Sequence, residues 1–111
     1  MDDVVMTIMQ GDARGVPFYF YLDGELITDD LLDDLEVTIG DTSWLLSEGD
    51  ITYDSESGAF VVQFTQEYTL KLPTPYVLCQ ARLKFANSAN DVVGEVSGLV
   101  RVTPSASKEE L

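Results

Sequence analysis

The sequence predicts an all-β domain, a sandwich or small barrel of about seven short strands with one helical turn. Three observations lead there. Short apolar–polar alternating runs recur along the whole chain, the period of half-buried strands. Gly, Asn and Asp clusters punctuate those runs at turn positions. No segment sustains a helical period, and the regular spacing of strands and turns is that of sandwiches and small barrels.

Val4 to Gln10 is the first strand, and Gly11-Asp12-Ala13-Arg14-Gly15 is a loop. Val16 to Leu22 is the second, with Phe18, Phe20 and Leu22 on one face and Tyr19 and Tyr21 on the other. Aromatic residues favour strands. Asp23-Gly24 marks a turn, and Thr28 is placed to cap a short helix in the acidic stretch Glu25 to Asp34. Leu35, Val37 and Ile39 alternate with Glu36 and Thr38, and Gly40-Asp41 closes that strand. Trp44-Leu45-Leu46 is a short apolar piece before the turn Ser47-Glu48-Gly49-Asp50.

Residues 51–72 carry the densest information. Ile51 to Tyr53 and Ala59 to Phe64 flank a polar segment ending in Gly58, the pattern of a β-hairpin. Phe60, Val62 and Phe64 share one face, which demands a covering layer. Thr65 is a good N-cap, followed by Gln66 and Glu67, while Pro73 and Pro75 stop the helix after about one turn.

Tyr76 to Phe85 is the clearest long strand: Val77, Cys79, Ala81, Leu83 and Phe85 face inward against Gln80, Arg82 and Lys84. One buried and one solvated face indicate an antiparallel sheet. Asn87 to Asp91 is a turn. Val92 to Val102 is the last strand, with Val96, Gly98, Val100 and Val102 inward and Gly98 at a bulge. Residues 1–103 thus read as one domain, and 104–111 as a flexible polar tail.

At 111 residues and 45% apolar, the chain can build a core despite a net charge of −14. The charge is uneven. Residues 1–56 hold fifteen acids and one base, Arg14, whereas residues 57–111 hold five of each. Such a surface repels nucleic acid and anionic membranes. No apolar run approaches the ~20 residues of a membrane span, and the acidic N-terminus lacks the bases of an export signal.

Without histidine, every His-based triad and His-ligated zinc site is excluded. The single Cys79 forms no intramolecular disulfide, holds no metal cluster alone, and reads as a small buried hydrophobe rather than a nucleophile. Gly-Asp-Ala-Arg-Gly lacks the spacing and following helix of a phosphate loop. Asp29, Asp30, Asp33 and Asp34, or Asp50 with Asp54 and Glu56, offer calcium-type oxygen ligands. Neither matches the Asp-x-Asp-x-Asp-Gly loop, so solvated acidic loops are the favoured reading. Tyr19, Tyr21, Trp44 and Tyr76 are the candidate interface residues, set against the commoner role of strand aromatics in bracing neighbours. Tyr19 and Tyr21 weigh most, because they stand opposite an already apolar face.

The order of motifs resembles the N-terminal domains of phage baseplate upper proteins. The residues that carry the likeness begin with Met6-Thr-Ile-Met-Gln-Gly-Asp, Phe18-Tyr-Phe-Tyr-Leu-Asp-Gly and Leu35-Glu-Val-Thr-Ile-Gly. It continues through Gly49-Asp-Ile-Thr-Tyr-Asp and Ser57-Gly-Ala-Phe-Val-Val-Gln-Phe-Thr-Gln-Glu. It ends at Gly94-Glu-Val-Ser-Gly-Leu-Val-Arg-Val, so that it spans about residues 4 to 103. These are strand and turn patterns, not catalytic signatures. The resemblance implies an immunoglobulin-like antiparallel β-sandwich that anchors a tail or baseplate component, although the Cys…Trp…Cys hallmark of antibody domains is absent. Members of that family continue into a coiled coil or receptor-binding region, whereas this chain stops about eight residues after the domain. The expected protein is a non-enzymatic structural module of a phage or prophage virion, made in the bacterial cytoplasm and using no cofactor. Its expected partners are other tail or baseplate proteins, met by homo-oligomerisation or by docking to a larger assembly, with no nucleic acid and no membrane. The alternatives are an acidic DNA mimic that inhibits a host DNA-binding enzyme, and a carbohydrate-binding module.

Overall fold

Alternating apolar residues give each strand one face that water disfavours, and two sheets bury those faces against each other. The computed structural model describes residues 4–87, 89 and 91–111, and for residues 95–97 the backbone alone. The strands are β1 Val4–Met9, β2 Gly15–Phe18, β3 Tyr21–Leu22, β4 Glu25–Leu26 and β5 Leu32–Ile39. They continue as β6 Thr42–Leu45, β7 Ile51–Asp54, β8 Ala59–Gln63, β9 Tyr76–Phe85 and β10 Val92–Thr103. A 3-10 turn at Asp29–Leu31 and the helix α1, Gln66–Leu70, complete the set.

One sheet has the order β1-β10-β9-β5-β6, the second β2-β8-β7, and β3 pairs with β4 in a separate hairpin. The protein is an all-β sandwich. Its core draws Ile8, Leu35, Val37, Ile39, Cys79 and Val100 from the larger sheet against Val16, Ile51, Phe60 and Val62 from the smaller, each at most 4% exposed. Full burial of a large apolar side chain stabilises by roughly 1.5–3 kcal/mol, so these two faces hold the layers together.

Several elements lie where the sequence places them. The strand β9 runs from Tyr76 to Phe85, with Val77, Cys79, Ala81 and Leu83 buried and Gln80, Arg82 and Lys84 exposed. Thr65 caps α1 by accepting from the Tyr68 backbone N–H at 3.2 Å. The register of β10 on β9 shifts between Val96 and Gly98, and Gly98 adopts φ 116°, a bulge that a side chain would strain. The side chain of Val96 lies outside the described residues.

Four expectations are corrected. The sandwich is not wholly antiparallel: β1 runs parallel to β10. Nearly the whole chain separates these two strands, so no hairpin dictates their relative direction. The number of strands among the described residues exceeds seven, because Thr42–Leu45 and the two-residue pieces β3 and β4 also pair. The run from Val16 to Leu22 is not one strand; pairing with β8 ends at Phe18, and Tyr21 begins a new hairpin. Leu22, expected inward beside Phe18 and Phe20, is 53% exposed, because it pairs with Glu25 in a separate hairpin rather than with β8.

The β3–β4 hairpin turns through Asp23 at φ 52° and Gly24 at φ 82°, the positive pair of a type I′ turn. Leu26 then packs over Gly58, where φ is 78° and any Cβ would collide with the leucine. That contact seats the hairpin on the β7–β8 turn.

Candidate interaction surface

The surface begins where β2 ends. Phe18 pairs with Phe60 in β8, and the chain then leaves that sheet. Burial still alternates beyond it: Phe20 turns inward, 8% exposed and with its ring centre 5.9 Å from that of Phe60. Tyr19 and Tyr21 turn outward, 46% and 65% exposed.

Between this segment and β1 opens a cleft of about 510 Å³. Val5 and Met6 form one wall, Tyr19 to Leu22 another, and Leu83, Phe85 and Val93 complete it. No charged side chain lines it among the described residues. Val5, Leu22 and Val93, like the tyrosines, are exposed. Apolar surface of this kind, gathered at one place on a small domain, marks an interaction site more often than a scattered leucine does. The acids lie next to it: Asp23 and Glu25 belong to the hairpin that follows Leu22, and both are solvent-exposed.

The four aromatic residues singled out in the sequence do not converge. Trp44 sits in β6, the edge of the large sheet opposite β1. It is half-buried against Phe64 at 5.5 Å and edge-on to Tyr68 at 5.1 Å between ring centres. Its work there is to brace α1 against the sheet. Tyr76 stands at the start of β9, 49% exposed, across from Arg101. Only Tyr19 and Tyr21 belong to the cleft.

The acidic stretches are engaged locally. Asp34 accepts from the Ser47 N–H at 3.0 Å, the Ser47 hydroxyl at 2.8 Å and the Leu35 N–H at 2.8 Å. Burial works to raise its pKa, but these bonds and the charge of Lys84 outweigh it and hold the carboxyl below the usual aspartate value. Asp54 is lowered by the Ser57 hydroxyl and the Glu56 N–H inside its own turn. Among the described residues no group of three acidic or thiol side chains is placed to hold a metal ion. Cys79 is fully buried, and burial pushes its thiol up to about 11, so it is protonated near neutrality.

Two residues that matter structurally escape the sequence reading. Thr69 is buried in α1, and Leu26 closes over Gly58. The first lacks any periodic signal in a five-residue helix; the second lies in an acidic stretch with little alternation. No family model, no curated protein and no solved structure matches the chain.

Proposed function

We propose that the protein is a non-enzymatic structural module that docks to other proteins in the tail or baseplate of a phage or prophage particle. The observation that carries the docking reading is the exposed apolar cleft at Tyr19 and Tyr21, next to surface acids that favour a basic partner. The phage setting rests on the motif resemblance over residues 4 to 103. The buried, protonated thiol of Cys79 and the absence of histidine leave the chain without a Cys–His or Ser–His pair. A carbohydrate-binding role draws less support, because Trp44 is packed against Phe64 and Tyr68 rather than offered as a stacking platform.

Mass spectrometry of purified tailed particles tests the setting. Copies in fixed ratio to the tail proteins are expected; absence from every particle overturns it. Light scattering after size exclusion, over a range of concentration and salt, tests the mode. A monomer fits docking to another protein, whereas a defined ring or dimer makes the chain an assembly subunit in its own right.

A further inference from the structure

We propose that the Tyr19–Tyr21 cleft receives a segment of a partner protein in which large apolar anchors are flanked by lysine or arginine. This rests on the docking reading above and adds the chemistry of the occupant. A volume of about 510 Å³ lies within the usual range of ligand pockets, ~300–1,000 Å³, and suits one or two large side chains. The tyrosines supply broad contact area with few rotatable bonds, and their hydroxyls keep the free surface wettable.

Charge selects the occupant. Asp23 follows Leu22 directly and Glu25 lies two residues further on, both solvent-exposed, while Asp29, Asp30 and Asp33 come after Ile27, itself a cleft residue. Neither Asp23 nor Glu25 has an ion-pair partner among the described residues. Among the described residues no base lines the cleft to offset them. The residues that line the cleft are thus followed in the chain by carboxylates without ion-pair partners at Asp23 and Glu25, on a chain of net charge −14. A second copy presents the same acids, so a two-fold contact through this face would set like charges together. A phosphate-bearing ligand meets the same repulsion. A segment with apolar anchors and basic flanks satisfies both features at once.

The test uses the full chain and three fluorescein-labelled 12-residue peptides at low and high salt. One carries tryptophan and leucine anchors flanked by lysines; one replaces the lysines with glutamates; one keeps the lysines and replaces the anchors with serine. The first is expected to bind at least about tenfold tighter than either control, and to weaken several-fold as salt rises. The double variant D23N/E25Q is expected to weaken binding about three- to tenfold and to flatten the salt dependence. Y19S/Y21S is expected to lose binding while melting at the same temperature. Equal binding of the serine-substituted peptide would reduce the site to charge alone and overturn the proposal. So would tight binding of the glutamate peptide, binding of none, or a self-association that Y21S abolishes. Particle mass spectrometry is independent of these results, so losing the phage setting and losing the occupant are distinguishable outcomes.

Discussion

The hydroxyl of Thr69 accepts from the backbone N–H of Gly11 at 3.0 Å, and donates to the carbonyl of Asp12 at 2.8 Å. One side chain of α1 therefore satisfies one N–H and one carbonyl of the loop that joins β1 to β2. Thr69 is fully buried, so water cannot replace it.

Replacing Thr69 with valine keeps the shape and removes the hydroxyl. It leaves a donor and an acceptor unpaired, at a cost of about 2–3 kcal/mol. Urea unfolding should show a lower midpoint with an unchanged slope. A midpoint equal to the parent's would mean the loop finds other partners.

Tyr68 ties the same helix to the large sheet: its phenol donates to the Ile39 carbonyl at 3.1 Å. Burial, then the charges of Asp41 and Cys79, push its pKa up to about 12 from 10.0. The folded state thus favours the neutral phenol. The associated stability is complete below pH 10 and declines as pH climbs from 10 towards 12. Y68F should cost about 1 kcal/mol at neutral pH, and the difference between parent and variant should shrink above pH 10. Cys79 titrates in the same range, which is why the difference between the two proteins is the quantity to follow.

Asp34 gives the opposite sign. Its folded pKa is lowered, so its contribution is present above the ordinary aspartate pKa of about 4 and lost as pH falls through the folded value. D34N should cost about 1 kcal/mol at neutral pH, discounted for partial exposure. Denaturation midpoints of parent and variant should converge in acid. A constant gap down to pH 2 would show that shape, not charge, holds the Ser47 turn.

What was legible in the sequence follows from which forces act locally. Alternation along Tyr76–Phe85 reports burial on one face, and the strand has the same two ends in the fold as in that pattern. Thr65 and the prolines at 73 and 75 bracket α1 through backbone geometry alone. The parallel pairing of β1 with β10 depends on contacts between chain ends and leaves no local mark. Leu22 failed for a related reason: alternation continues through residues 19–22, but the pairing partner changes at Phe18, and burial follows the partner. For the surface, the sequence singled out Tyr19 and Tyr21 but grouped them with Trp44 and Tyr76, since residue type alone does not tell a brace from an exposed ring. Val5 and Val93, the other walls of the cleft, come from strands far apart in the chain.

The segment from Tyr19 to Tyr21 sets one core ring between two outward-facing ones. Phe20 is 8% exposed and packs on Phe60, whereas its neighbours face solvent. F20A should cost about 3–5 kcal/mol, the usual range for a buried aromatic truncated to alanine. Y19S and Y21S should each stay within about 0.5 kcal/mol of the parent, since neither opens a core cavity. Chemical denaturation of the three variants checks this directly. If Y21S proved as damaging as F20A, the outer ring would be holding the hairpin in place, and its exposure would serve the fold rather than a partner.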